Sequence, residues 1–220
     1  MEGCQTVVYL LDRIENIQES DLTDLSYFLS DERKTVINRF RFSKDRIQSM
    51  LVYLLFRYGL IKDYQLNEIP NVEKSREGRP FMPDYPHICF NFTHCNRAVA
   101  CGFSDGPVGV DVQHISCYKS SVAKYFMTPE EHTDVLVGDK DRNFTLLWTQ
   151  KESYGKYLGT GICYDMASMP ISEIASSGSP IIDSFEMDGY FLSVCSEKHL
   201  EVRQISFSEL KEELLSFLNT

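Results

Sequence analysis

Long apolar runs, paired cysteine motifs and an excess of basic residues are all missing from this chain, and each absence closes a class. The apolar runs are far too short to span a bilayer, so a membrane protein is not expected. Met1 is followed by Glu2, Gly3 and Cys4 rather than by a basic and then an apolar stretch; no secretory signal is expected, and the expected compartment is the cytoplasm. Seven cysteines (4, 89, 95, 101, 117, 163 and 195) are odd in number and contain no CxxC pair, which in a reducing compartment reads as buried free thiols. His87, Cys89, His94 and Cys95 carry atoms suited to zinc, but His87 and Cys89 fall at strand spacing among apolar residues, and no zinc site is expected. Lys and Arg number 22 against 32 Asp and Glu, a net charge of −10, which excludes a general nucleic-acid binder. No nucleophile-elbow or P-loop signature occurs.

What is present is an ordinary globular composition, 43% apolar and 25% charged over 220 residues, enough for one large domain or two small ones. Residues 33–46, RKTVINRFRFSKDR, gather six basic residues against the single acid Asp45. Such a patch on an acidic protein suits a compact polyanion such as phosphate, or an acidic partner; taken alone it is equally a solvated helix face.

Periodicity gives a coarse map. TVVYLLD (6–12) reads as a strand, and residues 20–40 as helical pieces with Ser30 as a cap before Asp31 and Glu32. Apolar positions 47, 50, 51, 54, 55 and 58 mark an amphipathic helix, EGRP (77–80) a loop, and HICFNF, RAVACGF and PVGVDV three strands. The pattern then restarts: FMTPEEHTDV (126–135) echoes FLSDERKTVI (28–37), with Thr128, Pro129 and Glu131 forming a capping box. A long helix at 144–159 and a hairpin through Asp188-Gly189 follow. The fold class is therefore α+β, in two similar α+β halves, residues 1–105 and 106–220, and the seam between them is a natural place for a site.

Three stretches carry chemistry. GPVGVDVQHI (106–115) sets the acid Asp111 in an apolar strand, at the crossing between the halves. LWTQKESYGKYLG puts Glu152 and Lys156 four apart on one helix face, alone no more than a surface ion pair. An acid on a strand and another on a helix are nevertheless what a divalent cation needs, since Mg²⁺ takes one or two carboxylates and completes its shell with water and phosphate oxygens. FNFTHCNRAVA crowds Asn91, Thr93 and His94 at a hairpin end, where a hydroxyl and an imidazole can donate to phosphate.

In order, RFRFSKDRIQSMLVYLLFR, EGRPF, FNFTH, GVDV seventeen residues after His94, and WTQKESYGK about forty beyond Asp111 resemble the 4'-phosphopantetheinyl transferases. The similarity is to their pseudo-dimeric, monomeric class, which activates nonribosomal peptide and polyketide synthases; it covers roughly residues 28–162, the last 60 fitting only in pattern. It implies two halves related by a pseudo-two-fold with the active site at the seam, and transfer of phosphopantetheine from coenzyme A to a serine of an acyl or peptidyl carrier protein, releasing adenosine 3',5'-bisphosphate. By the same resemblance Asp111 and Glu152 match the Mg²⁺ ligands, Glu152 also the proposed general base, and Lys156 the cation near the pyrophosphate. His94 matches the residue holding the 3'-phosphate, with Arg33, Ser49, Arg79 and Thr93 helping at the nucleotide end. Where related members commonly carry a second acid, this chain has Gln113, on the same strand face as Asp111 and able to offer an amide oxygen without charge. Carrier protein and coenzyme A are the expected partners, with neither nucleic acid nor membrane, and ISCYKSSVAKYFM (115–127), with Lys119, Lys124, Tyr118, Tyr125 and Phe126 and no acid, is the expected carrier dock. A non-catalytic binding homologue and a metal-dependent nucleotide pyrophosphate hydrolase remain as alternatives.

Overall fold

A computed structural model of the chain describes residues 5–161 and 169–218. Cys4, Cys163 and the end of the resembling segment at Ile162 lie outside the described residues. The expected first strand is β1 (Gln5–Asp12), followed by a 3₁₀ segment Glu19–Phe28 and the helix α1 (Asp31–Asn38), whose cap is Ser30: its Oγ accepts from Arg33 N at 3.1 Å. Next comes α2 (Ser43–Tyr64), then the short strands β2 (Glu73–Lys74) and β3 (Pro80–Phe81). The strands β4 (Cys89–His94), β5 (Ala98–Ser104) and β6 (Val108–His114) complete this stretch.

Helix α2 differs from the expected one-sided amphipath: every residue from Leu51 to Ile61 is buried. One side lies on β1, β4 and β5; the 3₁₀ segment, α1 and the last helix cover the rest, so no face is left for water. Arg57 survives at the centre because its guanidinium donates to the carbonyls of Asn67 and Glu68, both at 2.7 Å, which also closes the loop leaving the helix.

The later part runs through α3 (Ser120–Phe126), α4 (Pro129–Val135), α5 (Lys140–Leu158) and α6 (Ile171–Ser176). It ends with β7 (Ile181–Met187), β8 (Tyr190–Ser196), β9 (His199–Gln204) and α7 (Phe207–Phe217). The capping box on α4 is present in both directions, Thr128 to Glu131 and back. The β7–β8 hairpin turns at Asp188-Gly189, where Gly189 takes φ 76.

The larger sheets have the orders β4-β5-β1-β9 and β6-β8-β7. Reading β7-β8-β6 beside β4-β5-β1, each is an antiparallel trio with its first strand in the chain at one edge of the trio, and each carries its own long helix, α2 or α5. The sequence echo thus has a topological counterpart. One stretch departs from the expected halves: β9 runs parallel to β1, Gln5 opposite His199 and Leu10 opposite Gln204, and Leu210 and Leu214 of α7 enter the core around α2. The end of the chain therefore completes the first sheet.

Alternation sorts the residues of β1 and β5 by face. Tyr9, Leu11, Val99, Cys101 and Phe103 pack under α2, while Val8, Leu10, Ala98 and Ala100 meet Val108, Val110, Val112, Leu192 and Val194 of the second sheet. Each Val or Leu fully buried in this seam is worth roughly 1.5–3 kcal/mol. Gly102 makes the approach close enough: a Cβ there would stand 2.5 Å from a methyl of Val110. Cys95, Cys101 and Cys195 are buried thiols and Cys89 is half-buried. Cys117, contrary to expectation, is exposed, because it lies on the connection between β6 and α3.

Candidate active site at the seam

The edge strand of one sheet, β4, meets the edge strand of the other, β6, and α5 lies across the second sheet. Gly109 sets the spacing of β6 and α5. A Cβ there would fall 1.9 Å from the carbonyl oxygen of Ser153 and 2.5 Å from the backbone nitrogen of Tyr157, so only glycine lets strand and helix come this near. The next outward position on that face of the strand is Asp111, and the facing turn of α5 carries Glu152 and Lys156.

Asp111 is 6% exposed. Its Oδ1 accepts from Lys156 Nζ at 2.7 Å and from Thr93 Oγ1 at 3.1 Å, and Lys156 Nζ also donates to the Val110 carbonyl at 3.0 Å. Its Oδ2 is buried with no hydrogen-bond partner among the described residues. Burial raises the Asp111 carboxyl above its ordinary range, against the pull of Lys156. Glu152 is half-buried beside it; burial and then the charge of Asp111 raise its pKa, with Lys156 opposing. Lys156 therefore pairs with Asp111 on the neighbouring strand rather than along the helix with Glu152.

Lys151, the residue before Glu152, has the opposite fate. It is 1% exposed and donates to Glu131 Oε2 and to the Phe126 carbonyl, each at 2.6 Å, while Glu131 Oε1 accepts from Ile171 N at 2.9 Å. This buried pair locks α3, α4 and α6 onto α5 and takes no part in the acid cluster. On the sheet side, Ser193 Oγ donates to Thr149 Oγ1 at 2.9 Å, a second polar tie under the helix.

The remaining expected residues gather around this centre to different degrees. His94 ends β4 with part of its surface exposed, and the protein around the rest lowers its pKa, chiefly through lost hydration, with the cations of Lys156 and Arg33 adding. Arg33 and Ser49 form one unit: Arg33 Nη2 donates to the Ser49 carbonyl at 2.6 Å and to its Oγ at 2.8 Å, and the guanidinium lies 5.2 Å from the Tyr53 ring centroid. Arg33, Tyr53, Lys74, Gly78 and Asn91 line a cavity of about 640 Å³. Arg79, from the β2–β3 turn, lies against Gly159 at the end of α5. Thr93 is 5% exposed, with its hydroxyl already engaged by Asp111 and by Val112 N. Gln113 is half-buried, has no side-chain hydrogen bond among the described residues, and lines a cavity of about 210 Å³ with Lys119 and Trp148.

Two acids, one with an uncommitted buried oxygen, and an ammonium beside them suit a hard cation with oxygen ligands. Among the described residues they are a pair of carboxylates, and no cluster of three or more His, Cys, Asp or Glu forms. Sequence reasoning passed over Gly109, and named Asn91 at the hairpin end without giving it a role, though this arrangement depends on both. A glycine inside an apolar strand was the available signal for the first, and the spacing of two between Asn91 and Thr93 for the second.

A family model described as the 4'-phosphopantetheinyl transferase superfamily matches residues 107–208. Over 201 residues the chain is 30% identical to the 4'-phosphopantetheinyl transferase Sfp of Bacillus subtilis (strain 168), a match covering 83% of this chain and 90% of that protein. It is 29% identical over 203 residues to the 4'-phosphopantetheinyl transferase ffp of Bacillus subtilis, covering 86% and 90% respectively. Over 147 residues it is 35% identical to the 4'-phosphopantetheinyl transferase gsp of Aneurinibacillus migulanus, covering 63% and 59%.

Proposed function

The chain belongs to the 4'-phosphopantetheinyl transferase superfamily, and from that membership we propose how its residues divide the work. The activity is transfer of phosphopantetheine from coenzyme A to a carrier protein. In our reading Asp111 and Glu152 would hold Mg²⁺, and Gln113 would offer its neutral amide oxygen to the ion or to its water. The observation that carries this is the buried, unpartnered Oδ2 of Asp111 beside the raised carboxyl of Glu152. When bound, the ion supplies charge for the pyrophosphate oxygens.

The chain's own groups do the rest. Glu152, its pKa raised by burial and by the charge of Asp111, takes the proton of the carrier serine. The serine oxygen forms a bond to the phosphopantetheine phosphorus, the pyrophosphate bond breaks, and adenosine 3',5'-bisphosphate leaves with the electron pair. Lys156, held by Asp111 and the Val110 carbonyl, is fixed where that charge develops, which is positioning and electrostatic stabilisation without a covalent enzyme intermediate. His94, Arg33, Ser49 and Arg79 serve the nucleotide end, for which the cavity beside Arg33 has room, whereas the Thr93 hydroxyl is engaged by Asp111 and Val112 N.

The two halves, divided near residue 105 with β9 and α7 returning to the first, act as a monomer in the cytoplasm, without nucleic acid or membrane. Support for a single chain acting alone comes from its acids and cations meeting at one seam. The carrier docks on α3, where Lys119, Lys124 and Tyr125 are exposed, whereas Phe126 is buried and Tyr118 is turned toward His132.

Mass spectrometry of a carrier domain incubated with coenzyme A and the enzyme tests the reading. A gain of one phosphopantetheine is expected. Bisphosphate release without that gain would mean a pyrophosphate hydrolase, and neither event would mean a binding homologue.

A further inference from the structure

We propose that Asn91 and Thr93 are positioning residues that fix β6 across the seam and select which oxygen of Asp111 stays available; this rests on the reading of Asp111 as a metal ligand. As the edge strand of its sheet, β6 turns alternate N–H groups away from its neighbour β8. Those of Val110 and Val112 are buried in the seam, where an unsatisfied donor is costly. No backbone ladder joins β4 to β6. Two side chains replace it: Asn91 Oδ1 accepts from Val110 N, and Thr93 Oγ1 accepts from Val112 N, both at 3.1 Å. The match works because both pairs are two residues apart, the side-chain period of a strand.

Thr93 does more than satisfy an edge. A hydroxyl has one proton, and with Val112 N donating to it, that proton goes to Asp111 Oδ1 at 3.1 Å. Lys156 occupies the same oxygen at 2.7 Å. The carboxylate is thereby held in one rotation, with Oδ1 committed to the protein and Oδ2 left over. Asn91 also lines the cavity beside Arg33, so the clasp stands between that cavity and the acid pair. Thr93 is in this view a positioning residue acting through Asp111, not a direct ligand of the nucleotide.

Amide hydrogen exchange by NMR on protein free of metal and coenzyme A reads the clasp directly, with the amides of β8 as internal reference. Thr93→Val is expected to speed exchange of Val112 by about tenfold, and Asn91→Leu that of Val110. Thr93→Ser and Asn91→Asp keep the acceptor and are expected to restore protection. In carrier modification Thr93→Val should lower kcat on the order of 10- to 100-fold with KM for coenzyme A unchanged, and Thr93→Ser should recover it. Thr93→Ala removes the hydroxyl without the added methyl and serves should Thr93→Val not fold. A raised KM for coenzyme A with kcat and Val112 exchange intact would make Thr93 a nucleotide contact and overturn the proposal. Loss of kcat that serine does not recover would reduce it to packing. The exchange results do not depend on the reaction catalysed, so a failed transferase reading would leave them standing, whereas a failed clasp would leave wild-type transfer intact and the two amides indifferent.

Discussion

Asp111 has one oxygen committed and one open, and substitutions on its strand face differ accordingly. Asp111→Ala removes the strand's carboxylate, the proposed anionic ligand, and turnover is expected to collapse even at high Mg²⁺. Gln113→Ala removes a neutral donor that water replaces, so a modest rise in the Mg²⁺ needed for half-maximal rate is expected, and Gln113→Glu should lower that requirement. A Mg²⁺ titration of carrier modification for the three variants measures this; identical curves for wild type and both Gln113 variants would put Gln113 outside the metal's surroundings. The same acids shape stability. Both are raised, Glu152 from 4.5 and Asp111 from 3.8, so the folded protein binds protons more readily than the unfolded chain across the carboxylate range. Stability of the cation-free protein should therefore fall as pH climbs from the unfolded values through the raised folded ones. Urea unfolding between about pH 4 and pH 8 with chelator present should show a shallower fall for Glu152→Gln and on adding Mg²⁺. Equal slopes in all three cases would mean that the acid pair does not carry this dependence.

Between elements, the distance from β6 to α5 is the sensitive dimension. Gly109→Ala would set a methyl against helix backbone rather than a flexible side chain, so the helix must shift. The expected cost is roughly 1–3 kcal/mol in urea unfolding, with a larger proportional loss of turnover as Lys156 and Glu152 move with the helix. Ordinary turnover at reduced stability would show that α5 can retreat without disturbing the acids. On α3, Lys119→Glu with Lys124→Glu should raise KM for the carrier while leaving KM for coenzyme A nearly unchanged; if neither moves, the helix is only a connector. Most elements here were legible because their signals are local: a serine before an acidic first turn, a capping box, alternation, Asp-Gly at a hairpin. The Lys151-Glu152 doublet was not. Adjacent residues on a helix point about 100° apart, and only the packing of α4 and α6 decides that the lysine goes inward to Glu131 while the glutamate faces the seam. The two partners of the Thr93 hydroxyl were hidden for the same reason, since they arrive from a strand that the sequence could not align with β4.

At the scale of the molecule, the repeat was visible as two runs of similar elements, and the acid pair as a strand and a helix separated by about forty residues. The return of β9 was not visible, because a parallel partner nearly two hundred residues away leaves no periodicity to read. That return makes the first sheet depend on the last segment of the chain. Removal of residues 199–220 strips β9 from β1 and Leu210 and Leu214 from the core around α2, and the shortened protein is expected to be insoluble or to lack a cooperative transition by circular dichroism. A shortened chain that melts like the full one would show that the first half stands alone. During synthesis the consequence is one of timing. A nascent chain emerges with β1 first, and that strand can pair with β5 early, yet its other edge stays open until the ribosome has delivered the residues of β9. Over that interval the first sheet presents an unpaired edge to other nascent chains, and release before β9 emerges leaves an aggregation-prone product in place of an enzyme.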